Sequence, residues 1–297
     1  MIVQRTPWGH SMPLDIVLIV LVSSVLHPAW NLILKKNPDP QLGFLALMSM
    51  LVVCAFVHGL IEGVDFAAVF TVLPFIALSA GGLLLYGLCL TETLKRGDLS
   101  TYYPIIRSSP VFIVAFSVLF LGKSYPLVVL AGIALAVAGG FLLQFRRGTH
   151  FFENPGALGF ALLAMAGTGI YSLADARLMQ TITPQAQITV VDGLLVPIYG
   201  YIWWRRRRSE PEPLAGIRSL SPVLFVLPGV MAYASYYLIL IAYKAGADVA
   251  AVTTLRQASI PISVALGGLF LREGTMLRRF LAAGLLALGL VVIALNG

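Results

Sequence analysis

The chain has 297 residues, of which 59% are hydrophobic and 11% are charged, and its mean hydropathy is +0.90. Soluble domains carry roughly 25% charged residues, so this composition excludes a soluble domain and makes lipid the main solvent of the chain. The net charge of +7 comes largely from short basic clusters beside apolar segments, which membrane topology and anionic lipid explain; we expect no nucleic-acid partner.

Ten apolar segments are each long enough to cross a bilayer, since a hydrocarbon core of about 30 Å takes roughly 20 helical residues. The predicted spans are 14–34, 41–60, 68–94, 100–121, 126–144, 156–178, 186–204, 220–243, 248–271 and 276–295. The longest connection, from Arg205 to Pro222, is too short to hold a catalytic domain. The sequence therefore predicts an all-α polytopic membrane protein.

Lys and Arg are distributed unequally between the two sides of the predicted bundle. Short loops rich in these residues tend to stay in the cytoplasm. The loops after odd-numbered spans carry fourteen of them, whereas the N-terminus and the even-numbered loops carry four, Arg5, Lys123, Arg177 and Lys244. Both termini are therefore predicted to lie outside the cytoplasm.

The two halves of the chain resemble each other. Gly97 aligns with Gly246, and Arg107 aligns with Arg256 at the same offset. With a slip of one residue, the alignment continues through Phe120-Leu121 and Phe270-Leu271 to Gly139 and Gly289. We interpret this as a duplication, with residues 1–150 and 151–297 each forming a five-helix repeat within a single transport unit.

An odd number of spans per repeat makes the second repeat enter the membrane from the opposite side, so the two repeats are inverted and matching positions converge near the bilayer centre. Arg107 and Arg256 each lie about nine residues into a span, which is roughly 13 Å deep at 1.5 Å per residue. The sequence thus predicts two arginines near the membrane midplane.

An arginine at this depth must face a cavity, a carbonyl group or a counter-ion. In one interpretation, Arg107 and Arg256 line a central cavity and bind the carboxylate or phosphate of a substrate through bidentate hydrogen bonds. In the other, they bind backbone carbonyls that Pro104, Pro110 and Pro261 release, and so hold bent helices together. The sequence leaves both open.

Other polar and aromatic residues are predicted at a similar depth. His27, Trp30 and Asn31 share one face of the first span because they are three and four residues apart. The candidate substrate-binding residues are His27, Trp30, Asn31, Tyr86, Tyr103, Arg107, Tyr171, Tyr236, Tyr237, Arg256 and Gln257. For each of them packing within the bundle is the alternative. Asp192, inside the seventh span, is a structural partner or a proton carrier.

The carboxylates and histidines show no metal-ligand or nucleophile spacing. We therefore expect no catalytic residue, no metal, no cofactor and no enzymatic activity, although an enzyme acting on lipid intermediates is the alternative from another class. The expected partners are a small-molecule substrate and membrane lipid, and a monomer is compatible with the sequence.

The chain resembles the EamA family of the drug/metabolite transporter superfamily. The resemblance rests on ten spans in two halves, on Gly97-Asp98 and Gly246-Ala247-Asp248 before the fourth span of each half, and on the turn Phe270-Leu271-Arg272-Glu273. In the first half, Lys123 stands where the family has an acidic residue. The similarity covers nearly the whole chain but does not specify a substrate.

This resemblance implies a secondary transporter of the bacterial inner membrane that works by alternating access. Export of amino acids is the preferred function. The alternatives are a carrier of phosphorylated or other anionic metabolites, which two arginines would suit, and an importer of a cationic metabolite such as a quaternary amine, held by an aromatic cage. His27 is a candidate proton site for coupling.

We predict that a tag fused after Gly297 is accessible from outside intact cells, because the Lys/Arg bias places the C-terminus on that side. Labelling of the tag with a membrane-impermeant reagent, before and after permeabilisation, measures this. A tag that reacts only after permeabilisation contradicts the predicted orientation.

Overall fold

The computed structural model describes residues 12–34, 39–97, 99–144, 152–208, 222–262 and 276–296. Within these ranges every regular element is helical. The α-helices are α1 (Leu14–Leu34), α2 (Pro40–Ile61), α3 (Leu73–Arg96), α4 (Leu99–Arg107), α5 (Ser109–Leu121), α6 (Leu127–Gln144), α7 (Pro155–Leu178), α8 (Pro184–Arg207), α9 (Pro222–Lys244), α10 (Val249–Leu255) and α11 (Met276–Asn296). One 3-10 helix (Phe66–Val72) precedes α3, and another (Arg256–Ala258) follows α10.

The described helices confirm a multi-pass membrane protein. Seven segments within them are long and apolar enough to cross a membrane, and α6 and α11 contain shorter apolar stretches of 10–17 residues. Most predicted spans coincide with single helices to within a few residues. The exceptions are the third, fourth and ninth spans.

The third span is not one α-helix. Its first residues form the 3-10 helix Phe66–Val72, and the α-helical part starts at Leu73 with a proline in its first turn, Pro74. Pro74 has no amide hydrogen and cannot donate to the preceding turn. The fourth span is divided between α4 and α5. The ninth begins as α10, and its predicted end over 263–271 lies outside the described residues, as do Asp98 and the turn Phe270-Leu271-Arg272-Glu273.

The bundle places apolar side chains outside and many polar side chains inside. Large apolar residues such as Leu119 and Phe120 are more than 70% exposed. Conversely, buried polar side chains include Ser79, Asp175, Gln185, Gln187, Asp192, Thr254 and Gln257. This inverted distribution is what a lipid solvent requires, because a polar group facing hydrocarbon has nothing to bind.

Glycines set the closest helix contacts. α3 packs along α7, and α6 packs along α11. A Cβ atom added at Gly167 would lie 2.7 Å from the Tyr86 nitrogen and 2.8 Å from the Gly82 carbonyl oxygen, both on α3. Association of helices in lipid relies on such close backbone packing, which only small residues permit.

The start of α2 is held to the end of α8 by Asp39. This carboxylate caps α2 by accepting hydrogen bonds from the Gln41 and Leu42 amides, both at 3.1 Å, and it pairs with Arg207 at 3.0 Å. Trp203 Nε1 also donates to it at 3.0 Å. Partial burial opposes ionisation, but the Trp203 and amide hydrogen bonds and the Arg207 charge together hold the pKa of Asp39 below its usual value.

We predict that Gly167→Ala destabilises the protein by about 1–3 kcal/mol, because the new methyl group meets backbone atoms of α3 that cannot move aside. The matched control is Gly159→Ala in the same helix, where an added Cβ meets nothing within 4 Å. That variant is expected to be neutral or more stable by about 0.5–1 kcal/mol. Thermal unfolding of both variants in detergent tests the contact, and equal stability of the two would contradict it.

Candidate functional site

The bundle interior contains a helix break at Arg107. α4 ends at Arg107 and α5 begins at Ser109. Because Pro110 cannot donate a backbone hydrogen bond, the turn is loosened, and the Val111 amide donates to the Ser108 carbonyl at 3.0 Å. The Arg107 carbonyl is thereby left without the helical donor that it would have in a continuous α-helix.

A second break occurs at Arg256. α10 ends at Leu255, and the chain continues as a tighter 3-10 turn that starts with Arg256. The Ser259 amide bonds to the Arg256 carbonyl, and Pro261 cannot donate to the turn before it. Arg107 and Arg256, which align with each other in the sequence, therefore both lie where a helix changes its winding.

The two breaks are bonded to each other. Arg107 Nη2 donates to Ser259 Oγ at 2.6 Å, and the Ser259 hydroxyl donates to the Arg256 carbonyl at 2.8 Å. In return, Gln257 Nε2 donates to the Arg107 carbonyl at 3.3 Å. Each break thus supplies polar side chains that satisfy backbone or side-chain groups of the other.

Arg107 nevertheless keeps unused hydrogen-bonding capacity. Its Nε is buried and has no hydrogen-bond partner among the residues that the structure describes, and its guanidinium carbon lies 6.0 Å from the centroid of the Tyr103 ring. Among the described carboxylates none lies within salt-bridge distance of it. A guanidinium has five N–H donors, so Arg107 can hold Ser259 and still bind an anionic group.

Arg256 faces a group of tyrosines. Tyr171, Tyr236 and Tyr243 all lie within electrostatic range of its guanidinium, and Tyr171 is one of the nearest of them. Phenolic oxygens can accept hydrogen bonds without neutralising the charge. The surroundings of Arg256 are therefore polar, but they leave its positive charge available to a ligand.

His27 and Trp30 approach the same point from α1. Their rings meet edge to face, with centroids 5.0 Å apart. His27 is within electrostatic range of both Arg107 and Arg256. Asn31 has a different role, because its side-chain amide donates to the carbonyl of His27 in its own helix at 2.9 Å.

Several of these side chains line an internal space. His27, Tyr86, Tyr236 and Arg256 are enclosed deep within the bundle, yet each keeps some accessible surface. A side chain that is surrounded by protein and still accessible faces a cavity rather than lipid. The Tyr86 and Tyr171 rings, 6.3 Å apart, form part of its aromatic wall.

Asp175 is a buried site residue that the sequence did not single out. Its side chain accepts hydrogen bonds from Ser79 Oγ at 2.5 Å, from Gln187 Nε2 at 2.8 Å and from the Tyr236 hydroxyl. It is fully buried and lies within electrostatic range of Arg256. An acidic residue inside the sixth predicted span was the available signal, since intramembrane carboxylates are rare and functional by default.

The structure brings most predicted site residues into one cluster, while the side chains of two others have contacts of a different kind. The residues brought together are His27, Trp30, Tyr86, Tyr103, Arg107, Tyr171, Tyr236, Arg256 and Gln257. Asn31 bonds within its own helix. Tyr237 instead packs against His58, with ring centroids 5.3 Å apart, and against Tyr233 at 5.6 Å.

The neighbourhood of Tyr233 contains a separate apolar groove. It has a volume of about 420 Å³ and is lined by Met50, Val53, Cys54, Val57, His58, Ile61 and Tyr233. Neither arginine contributes to it. Its apolar lining between α2 and α9 is typical of a lipid-facing groove, so the arginine cluster is the better candidate for polar recognition.

No protein-family model and no curated protein matches the sequence. Among solved structures that are similar, one described only as "Crystal structure of protein" has a TM-score of 0.72 and is 18% identical, covering 96% of this chain and 98% of its own. This likeness shows that the fold is shared over nearly the full length. At that identity it shows the fold alone.

We predict that Ser259→Ala destabilises the protein by about 1.5–3 kcal/mol, because it removes the acceptor of a hydrogen bond from a charged guanidinium. Ser49→Ala is the control, since the Ser49 hydroxyl bonds only the Leu45 carbonyl of its own helix, at 2.8 Å. Thermal unfolding in detergent measures both. If the Ser259 variant is no less stable than the control, the bond between the breaks does not support the fold.

Proposed function

We propose that the protein is a secondary transporter that moves small metabolites bearing a carboxylate, with amino acids as the preferred class, outward across the bacterial inner membrane by alternating access. The observation that carries this proposal is the pair of arginines at matching helix breaks beside an internal aromatic-lined space. Discontinuous helices that meet near the midplane are the usual location of transporter substrate sites. The resemblance to the EamA family favours the same function.

Charge supports an anionic group on the substrate. Arg107 and Arg256 both reach the space around His27, whereas Asp175 is the carboxylate in electrostatic range of Arg256. Asp175 already accepts three hydrogen bonds and offsets at most one of the two positive charges. The remaining positive charge favours a carboxylate, which a guanidinium binds with two parallel hydrogen bonds.

The aromatic wall suits the remainder of an amino acid. Trp30, Tyr86 and Tyr171 offer apolar ring faces for a side chain, and such faces also attract an ammonium group. A metabolite with no anionic group would leave the arginines unpaired. This disfavours a quaternary amine, while a phosphorylated metabolite remains the second candidate because two guanidinium groups can bind a dianion.

Pairwise contacts support two inverted five-helix repeats, which would give ten membrane helices in all. A Cβ atom at Gly139 would meet Leu286 and Ala282, and one at Gly289 would meet Ala136 and Gly132. Adding 150 to the α6 residues Gly132, Ala136 and Gly139 gives the α11 residues Ala282, Leu286 and Gly289, as expected for a two-fold axis between α6 and α11. The packing of α1 on α9 likewise has its counterpart in the packing of α7 on α3.

Alternating access requires contacts between the halves that can break. Lys123, in the connection between α5 and α6, pairs with Asp248 at 2.9 Å, and Asp248 also caps α10 by accepting from the Ala250 amide at 2.9 Å. This pair lies on the side of the membrane predicted to be external. We propose that it closes the external side of the site and separates when that side opens.

The proposal predicts that reconstituted protein exchanges labelled L-amino acids in a counterflow assay that also includes quaternary amines and sugar phosphates. Arg107→Ala and Arg256→Ala should each lower exchange by roughly 10- to 100-fold, as expected for loss of a charged hydrogen bond to the substrate. Exchange of phosphorylated compounds alone would exclude amino acids as substrates. Exchange of quaternary amines alone would exclude an anionic substrate.

Two variants serve as controls for this experiment. Arg177→Gln removes an exposed arginine on α7 that bonds Gln180, and should leave exchange unchanged. Ser259→Ala removes the structural bond of Arg107 but keeps its guanidinium. If Ser259→Ala lowers exchange as much as Arg107→Ala does, in protein that elutes as a folded species, the role of Arg107 is to hold the helices and not to bind substrate.

A further inference from the structure

Asp192 on α8 is a buried carboxyl group with an unused oxygen. Its residue is 5% exposed, and its Oδ2 is buried without a hydrogen-bond partner. An ionised carboxylate in an apolar interior is costly unless donors or a counter-charge surround it. A proton on Oδ2 removes the charge and supplies the donor that the site lacks.

The groups that face Asp192 do not offer a positive charge. Asp175 approaches from α7, Tyr236 approaches from α9, and Tyr199 lies on α8 itself. α8 also packs against α2, α3 and the 3-10 helix Phe66–Val72, and that 3-10 helix has no titratable side chain. Two titratable groups on α2 and α3 have partners other than Asp192. His58 on α2 bonds Tyr233 and Glu62, and Tyr86 on α3 packs on Tyr171.

Asp175 and Asp192 differ in the way their oxygens are satisfied. Asp175 accepts hydrogen bonds from Ser79, Gln187 and Tyr236, so its negative charge is well supported. Asp192 Oδ2 accepts none within the described chain. Two neighbouring carboxyl groups do not readily ionise together, so one of them keeps a proton. The proton is kept by the group that has no hydrogen-bond donors around it.

Two more buried polar atoms on α8 also have no partner. They are the Gln187 Oε1, which can only accept a hydrogen bond, and the Thr189 Oγ1. Thr189 precedes Asp192 by three residues and so lies on the same side of the helix. Buried polar groups of this kind are normally bonded to water, and water bound beside α8 would be the means by which a proton reaches Asp192.

We propose that Asp192 is the proton-binding site of the transporter, connected to the substrate site through Asp175 and Tyr236. This rests on the proposed transport function. The Tyr236 hydroxyl donates to Asp175 and also faces Arg256. A hydronium ion in the internal space gives its proton to Asp192 Oδ2 and becomes water, and the reverse transfer releases the proton to water after the conformational change.

The charges predict how proton and substrate binding are coupled. With Asp192 neutral, Arg107, Arg256 and Asp175 leave one net positive charge for a carboxylate. With Asp192 ionised, that excess disappears. Protonation therefore strengthens binding of an anionic group, and by linkage the substrate favours protonation, so proton and substrate cross in the same direction and outward transport is driven by the outward gradient of the substrate. His27 is less suited to this role, because a positive charge on it would be repelled by both guanidinium groups beside it.

Infrared difference spectroscopy of the purified full-length protein in nanodiscs, titrated with pH, tests the proton site without any substrate. Wild-type protein should show a carboxylic-acid C=O stretching band that Asp192→Asn abolishes and that Asp192→Glu moves to another frequency. Asp15→Asn, at an exposed position in α1, is the control and should keep the band. Asparagine resembles the neutral acid in shape, and the glutamate variant provides a second readout if the asparagine variant does not fold.

The proposal is overturned if the band persists unchanged in Asp192→Asn and Asp192→Glu. It is also overturned if Asp175→Asn is the only variant that abolishes the band. In counterflow with a mixture of the standard L-amino acids, wild-type exchange should depend on pH and Asp192→Asn exchange should not. An unchanged pH dependence in that variant would exclude Asp192 as the coupling group. Wild-type protein that exchanges none of these amino acids would contradict the proposed function, while the infrared result would still decide the proton site.

Discussion

The interaction on which the rest of the site depends is the reciprocal bonding between the two broken helices. Inside a bilayer, backbone groups released by a break must be satisfied by the protein itself or by water in a cavity. Here the Gln257 amide bonds the Arg107 carbonyl, and the Arg107 guanidinium bonds Ser259, whose hydroxyl bonds the Arg256 carbonyl. The prolines that break the helices therefore also create the need for polar side chains inside the bundle, and the two arginines lie at the breaks where that need arises.

Close helix packing then determines what surrounds those arginines. The approach of α3 and α7 at Gly82 and Gly167 brings Tyr86 and Tyr171 near each other and near Arg256. The same pair of helices brings Ser79 to Asp175. A larger residue at either glycine would separate the two helices. It would therefore displace both the aromatic rings and the Asp175 carboxylate, so the geometry of the site depends on the packing of the bundle.

The sequence predicted the elements well where apolar length was the main signal, and less well where backbone hydrogen bonding decided the outcome. The spans of α1, α2 and α6–α9 follow from hydrophobicity. The 3-10 helix Phe66–Val72 and the break after Arg107 depend on Pro74 and Pro110, whose local effect varies with the partners that neighbouring helices provide. Proline alone does not ensure a break, since α8 continues through Pro197 and α9 through Pro228.

By itself the sequence determined the solvent of the chain and the approximate position of most spans, because these follow from composition and length. It also predicted an equivalent depth for Arg107 and Arg256, on the basis of a repeated pattern. Only the tertiary structure decided which neighbouring side chains face the centre. Tyr236 bonds Asp175, whereas Tyr237, the next residue, packs on His58. Adjacent residues on a helix point about 100° apart, and the sequence gives no sign of which direction the other helices enclose. For the same reason only the tertiary structure showed that Gln187 bonds Asp175 and that Asp192 lies within electrostatic range of it.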